Sequence, residues 1–436
     1  MPDIRPFRAL RFDPEVVGDL GRVVAPPYDV IGPDLHRELL ARSPRNAVRL
    51  DLPHEEPPED PDERYRRVAR TFAAWRSDGA LRKDPRASLY VYEQVYRVPG
   101  TTLERTQRGF FARLRLEPFG PDGGILPHER TLAGPREDRY RVLRATGVNT
   151  SPVVVLYRDP AASTRQDLEA IVAQAPVSDV TDDDGTRHRL WVVADDGADG
   201  VVHRLATAAG AGPLFIADGH HRYETALRYR DERRMTRSCE PDPPFDFIFA
   251  LLLDAGDQLT VLPTHRIVRG LGDDGLAALR AGLDGPFEVT PAATDALVAR
   301  YDAAGSLEGG GGRLGLVTRD GAWQLVARRS AFEQLPGGEA LRRLDVSILG
   351  STLETLAGID AAAVAGGERI RYSKSAAEAA GLVRAGTDGA DAAFLLEPTP
   401  VASILEVATA GDVMPQKSTY FYPKALTGLV FNPHEW

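Results

Sequence analysis

The apolar run Pro213-Leu214-Phe215-Ile216-Ala217 passes without a spacer into Asp218-Gly219-His220-His221-Arg222-Tyr223-Glu224-Thr225-Ala226-Leu227. Five apolar residues are too few for a helix and suit a buried strand; the glycine supplies a tight turn, and the residues after it open a helix. A strand that must become a helix at once implies a sheet with helices packed against it. The glycine lets the backbone approach a ligand closely. The helix N-terminus offers free N–H groups and the positive end of its dipole, and Arg222 offers a planar fork of donors, so the segment makes an anion site. His220 and His221 add donors that titrate near neutral pH, and Asp218 can take a proton or hold a metal ion. The plain alternative is that Asp218 caps the helix and the histidines decorate its first turn.

The rest of the chain sets the frame for that junction. Its 436 residues, 43% hydrophobic and 27% charged, describe a globular protein long enough for two or three cores. An excess of 63 acidic over 53 basic side chains leaves a charge of -10, which makes nucleic acid an unfavourable partner. The arginines between Arg64 and Arg70 and between Arg139 and Arg144 read as solvated helix faces. The single cysteine, Cys239, excludes an intramolecular disulfide and any thiolate cluster, and suits a reducing compartment. Met1 to Phe7 contains no unbroken apolar stretch, and the longest apolar run, Phe247 to Leu253, is too short to cross a bilayer. The expectation is a cytoplasmic protein without a membrane segment, acting on a small molecule; a homo-oligomer is left open.

Periodicity divides the chain. Tyr65, Val68, Ala69, Phe72 and Trp75 recur at helical spacing, with Gly79 as a stop. Ser88 to Val98 and the alternation of Ala112, Leu114 and Leu116 with Arg113 and Arg115 read as strands. A loop over 123–131, a helix from Pro135 and a strand from Pro152 to Tyr157 follow. Asp184-Gly185 and Asp320-Gly321 mark hairpins. The expected class is α+β, mixed sheets with flanking helices, in three parts: an N-terminal α/β segment at 1–86, a phosphate-handling core with an insertion at 87–270, and a C-terminal α+β domain at 271–436. Gly309 to Gly312 reads as a flexible loop and a candidate boundary.

Other residues enter as candidates with two readings. Asp29 lies in the rigid Ala25-Pro26-Pro27-Tyr28-Asp29 loop and either forms a turn or lines the cleft. His265 and Arg266 follow a strand and either line the cleft or pair structurally. In the tail Met414 to Lys424, Gln416 replaces the second glycine of a Walker loop and Pro415 removes an N–H, so that motif is rejected. Lys417, Ser418, Thr419 and Lys424 either reach a phosphate from a loop, or the run Tyr420-Phe421-Tyr422 is a strand on the core. His128-Glu129 lacks a histidine at Leu132, so the helical zinc pair is absent; neither zinc nor haem is expected. Magnesium carried in by a phosphate donor, with Asp218 as its one protein ligand, is the expected metal.

Over most of its length the chain resembles the prokaryotic domain-of-unknown-function family 1015, through Ala25-Pro26-Pro27-Tyr28-Asp29-Val30-Ile31, Asn149 with Ser151-Pro152, the Asp218 segment, Leu262-Pro263-Thr264-His265-Arg266 and Met414 to Lys424. Ile216 to Arg222 also resembles a box of the ParB/sulfiredoxin-like superfamily, with the free serine kinases of that group nearest, and Pro127-His128-Glu129 resembles their earlier box. The separation of the two boxes is about twice that of the kinases. This resemblance implies a ParB/sulfiredoxin-like core with insertions and a phosphotransferase using ATP, ADP or pyrophosphate on a serine-like amino acid. By the same resemblance Glu129 is the base, Asp218 assists in acid/base or metal work, and Gly219, His220, His221 and Arg222 hold donor phosphates. From its place in the strand-to-helix turn, Arg222 is expected to face the anion and to be dispensable for the fold. The other readings are a nucleotide-binding switch or partner-binding module of the ParB type, and a phosphohydrolase.

Overall fold

The computed structural model describes every residue except 55–59, 61, 130–132, 237–240 and 303–310, and the side chains of 133–136 are also outside the described set. Cys239 therefore lies outside the described residues, as do Arg130 to Leu132 and the first half of the Gly309 to Gly312 run.

The first lobe is built on a nine-stranded mixed sheet. Its spatial order is Ile125–Leu126, Leu214–Asp218, Val153–Tyr157, Phe247–Asp254, Glu104–Arg115, Ser88–Arg97, Arg187–Ala194 and Ser178–Thr181, with Ile4–Arg5 paired to Glu104–Arg115 off that path. Two pairings are parallel, Leu214–Asp218 with Ile125–Leu126 and Phe247–Asp254 with Val153–Tyr157, and the rest are antiparallel. The two faces are both dry, and the pleat explains how one sequence serves both. In Ser88–Arg97, Leu89 and Val91 point into a core roofed by the helices Ala133–Thr146, Ser163–Val172, Val201–Ala209 and His220–Thr236. Tyr90 and Tyr92 point the other way, into a core continuous with the second lobe. The central strand Phe247–Asp254 is buried at every position, which accounts for its unbroken apolar run. Each such phenylalanine or leucine contributes roughly 1.5–3 kcal/mol by leaving water.

The second lobe is a six-stranded antiparallel sheet ordered Phe287–Ala292, Gly321–Ala327, Arg313–Thr318, Ala390–Leu395, His265–Arg269 and Ile370–Ser373. His265–Arg269 already belongs to it, so the chain passes into the second lobe at 263–264, after the short strand Thr260–Leu262 that lies outside both large sheets. Strands on both sides of the Gly309 to Gly312 run pair within this one sheet, which puts that run inside a lobe instead of between two. The helices Asp345–Ala357 and Ala376–Ala385 pack on the sheet.

The tail returns to the first lobe. Tyr420–Tyr422 pairs with Thr260–Leu262, Thr427 bridges to Ala25, Phe431 to Leu10, and Asn432–Pro433 pairs with Val148–Asn149. The aromatic run is thus a strand, while the residues just before it form a loop. Buried Arg113 fastens the end of the tail by donating to Asn432 Oδ1 at 2.8 Å and to the carbonyls of Pro433 and Glu435 at 2.6 and 2.9 Å. Of the arginine clusters, Arg66, Arg70, Arg141 and Arg144 are exposed as expected, but Arg139 is buried against Asp51 and Asp138, with its guanidinium 4.2 Å from the Tyr28 ring centre. A planar cation that can stack on an aromatic face is suited to that burial. Among the described residues no helix is long and apolar enough to cross a membrane.

Candidate active site

One cavity of about 820 Å³ gathers most of the chemistry. Its floor is the strand-to-helix turn: Asp218 ends the strand Leu214–Asp218, and His220 begins the helix His220–Thr236. Gly219 between them has φ +89°, and a Cβ there would lie 2.8 Å from Arg222 Nε, so the position requires glycine. The guanidinium folds back over the turn. It donates to Asp218 Oδ2 at 2.6 Å and to the Pro152 carbonyl, and its Nε is sealed without a partner. Lys424 binds the other Asp218 oxygen at 2.6 Å. Burial would raise the Asp218 carboxyl, but Lys424 and Arg222 outweigh it and hold the group well below the usual carboxylate range.

His220 and His128 are structural in their contacts. His220 is buried and its Nε2 accepts the His128 backbone N–H at 3.3 Å, while burial followed by His128 pushes its pKa well down. His128 Nδ1 donates to the Ile216 carbonyl at 2.6 Å and its Nε2 accepts the Thr419 hydroxyl at 2.9 Å; burial pushes it down to about 4. Both rings are neutral at neutral pH, because a buried imidazole with such partners cannot hold a second proton.

Glu129 reaches the cavity from the opposite side. Its backbone bridges Met414, whose N–H donates to the His128 carbonyl at 2.7 Å, and its Oε1 accepts the Lys417 N–H at 2.9 Å. Burial pushes the carboxyl up to about 7 against the pull of the Lys417 and Ser418 N–H groups. The loop that supplies those groups turns through Lys417 at φ 56°. Asp29 lines the same cavity from the short helical turn Tyr28–Val30.

Three lysines share one wall. Lys374 lies 3.6 Å and Lys424 4.4 Å from the Tyr420 ring centre, and Lys417 stands on the neighbouring loop. Desolvation, then repulsion from Lys424, pushes Lys374 down to about 8. No carboxylate among the described residues lies within ion-pair distance of Lys374 or Lys417. Lys374 was not legible as a site residue, although Tyr372-Ser373-Lys374-Ser375 repeats the strand-to-helix pattern of the Asp218 turn. It joins Ile370–Ser373 to a helix capped by Ser375.

The structure thus brings Glu129, Asp218, Gly219, His220, His221, Arg222, Lys417, Thr419, Lys424 and Asp29 to one cavity. Ser418, His128, His265 and Arg266 do not line it. Ser418 Oγ donates to the Pro415 carbonyl at 2.5 Å, and His265 Nδ1 accepts the Leu396 N–H at 3.1 Å. As for a metal, no group of three His, Cys, Asp or Glu side chains able to hold one occurs among the described residues. With a cation on each of its oxygens, Asp218 does not fit as a magnesium ligand.

The family described as Protein of unknown function (DUF1015) matches residues 4–347. The chain belongs to this family. The DUF1015 match spans Glu129 and the Asp218 turn and ends before Lys374, Lys417 and Lys424. Among solved structures, a free serine kinase in complex with AMP is 14% identical, with 72% of this chain and 86% of that one covered at a TM-score of 0.35. A conserved hypothetical protein from Pyrococcus furiosus is 14% identical over 72% of this chain and 90% of that one, at 0.34. SbnI with a C-terminal truncation, from Staphylococcus aureus, is 12% identical over 72% and 86%, at 0.36. No curated protein matches. Likenesses this distant leave the chemistry to be read from the cavity itself.

Proposed function

We propose that the cavity transfers a phosphoryl group from ATP, ADP or pyrophosphate to the hydroxyl of a small molecule, with a free serine-like amino acid as acceptor. The observation that carries this reading is a carboxylate pushed up to about 7, Glu129, facing a wall of three lysines in one cavity. Phosphoryl transfer needs little covalent help from a protein. It needs positioning, a proton acceptor and charge to match the phosphate oxygens. The helix N-terminus at His220 and the ammonium groups of Lys374, Lys417 and Lys424 supply the charge. Glu129 takes the acceptor's hydroxyl proton as the new O–P bond forms and the bond from that phosphorus to the donor's bridging oxygen breaks.

Asp218 serves this reading as the fixed anion that holds Lys424 and Arg222 in place. Magnesium enters only as the donor's own counter-ion. The first lobe is read as the ParB/sulfiredoxin-like core. The test is incubation of the purified protein with a nucleotide and pyrophosphate panel plus free amino acids, with products read by mass spectrometry. A phosphorylated amino acid supports the proposal. Donor loss without an acceptor product makes the protein a phosphohydrolase, and binding without turnover makes it a nucleotide-binding module.

A further inference from the structure

A second cavity, of about 340 Å³, lies behind the wall of the first and shares Tyr372 and Gln416 with it. Its lining is largely aliphatic, from Leu335, Val346, Leu353 and Val364; of its charged groups Glu354 and Asp360 are exposed and Arg266 is buried. Arg266 is 6% exposed and has no carboxylate within ion-pair distance among the described residues. Its contacts are two backbone carbonyls, Thr264 at 2.7 Å and Lys417 at 3.4 Å, together with the Tyr372 ring at 5.6 Å. Two carbonyls satisfy two of the five guanidinium donors, and the carboxylates that act on it, Glu129 and Asp345, do so from beyond ion-pair distance.

An arginine removed from water without a counter-charge is an unfavourable arrangement, worth several kcal/mol in general. Arg139 is matched by Asp51 and Asp138 and Arg222 by Asp218, while buried Arg113, like Arg266, lacks an ion-paired carboxylate and is held by Asn432 and two carbonyls; what sets Arg266 apart is the cavity beside it. The Arg266 cavity combines the unmatched cation with apolar walls and open space. That combination recognises a small molecule with a carboxylate at one end and an aliphatic body at the other.

We infer that this cavity is a binding site for a small aliphatic carboxylate, held by its carboxylate on Arg266 and by its chain against Leu335, Val346 and Val364. The site is distinct from the phosphoryl-transfer cavity. It touches that cavity through the Arg266 bond to the Lys417 carbonyl, so an occupant bears on the loop that carries Lys417.

Isovalerate is the probe and isovaleramide its uncharged counterpart, titrated by calorimetry against the full chain. Isovalerate should bind and the amide should bind roughly tenfold more weakly or worse. Arg266→Met should weaken isovalerate by a similar factor. A second variant guards against misfolding of the first. Gly350 lines the cavity within the helix Asp345–Ala357, and a Cβ there meets nothing within 4 Å. Gly350→Leu therefore starts its side chain in open space at the cavity wall and favours the helix; it should abolish isovalerate binding with the melting temperature kept. Absence of isovalerate binding at millimolar concentration, equal binding of acid and amide, or undiminished binding to Gly350→Leu would each overturn the inference.

Discussion

Replacing Glu129 with glutamine should make the protein more stable and less active at once. The carboxyl rises from 4.5 in the unfolded chain to about 7 in the fold, with burial as the main cause. Between those two values the folded protein keeps a proton that the unfolded chain has lost, so stability falls as pH rises through this window and the penalty is complete above pH 7. At ~1.4 kcal/mol per tenfold change in proton affinity, the full penalty is ~3 kcal/mol. Glu129 is half-buried, and contact with solvent reduces that to ~1–3 kcal/mol. Glutamine carries no charge, and its carbonyl still accepts the Lys417 N–H. Glu129→Gln should therefore melt roughly 1–4 °C higher than the parent at pH 8. The difference should shrink toward zero near pH 5. Turnover at saturating donor and acceptor should fall about 100- to 10,000-fold. Calorimetric melts at the two pH values and initial rates settle both halves. A lower melting temperature at pH 8, or a pH-independent difference, would refute the charge argument; unchanged turnover would remove Glu129 as the base.

The pH profile of turnover should be a narrow bell, rising through about 7 as Glu129 loses its proton and falling above about 8 as Lys374 loses its own; a flat rate from pH 6 to 9 contradicts both assignments. Lys374→Ala should weaken ADP or pyrophosphate binding by roughly tenfold with the melting temperature unchanged, since its contact is a ring face; equal affinities would detach it from the site. Lys424→Met leaves Asp218 with one cation and should cost about 2–4 kcal/mol in chemical denaturation, and Asp218→Asn in the same chain should lower stability further, because Arg222 then loses its carboxylate; a recovery of stability in the double variant would contradict the pairing argument. Arg222→Ala should lower the melting temperature as well as donor affinity, because it strips partners from Asp218 and the Pro152 carbonyl; an unchanged melting curve would put Arg222 back in a purely ligand-facing role.

Local pattern carried the secondary structure well. The helix Glu63–Ser77 follows from Tyr65, Val68, Phe72 and Trp75 on one face, and the strand Leu214–Asp218 with its following helix from an apolar run broken by glycine. The tail resolved into both of its readings, a loop carrying Lys417 and a strand carrying Phe421. Legibility failed wherever a residue's surroundings come from far along the chain. His220 and His221 look alike in sequence, but only the distant His128 N–H reveals that His220 is buried as an acceptor. Arg222 has the composition of a ligand-facing group, yet it turns inward to a carbonyl 70 residues away. Lys374 carries no signal of its own, because its place on the Tyr420 ring depends on the turn after Ile370–Ser373 meeting a strand of a different sheet. Arg139 was hidden for the same reason, since Asp51 and Tyr28 are not its neighbours in sequence.

The chain leaves the first lobe at 263–264 and comes back at 414, and the two crossings are pinned side by side, with Leu262 opposite Tyr420 and the Thr264 hydroxyl donating to the Lys417 carbonyl at 2.7 Å. In genetic terms the second lobe is a cassette spliced into the first. No single cut of the coding sequence yields two whole lobes, and a truncation at 414 removes Lys417, Lys424 and the strand that pairs with Thr260–Leu262. Replacing 265–411 with a short turn would instead keep Glu129, Asp218, Lys417 and Lys424 together while deleting Lys374 and the Arg266 cavity. Apolar residues of the first lobe that the shared core leaves uncovered would need polar replacements first.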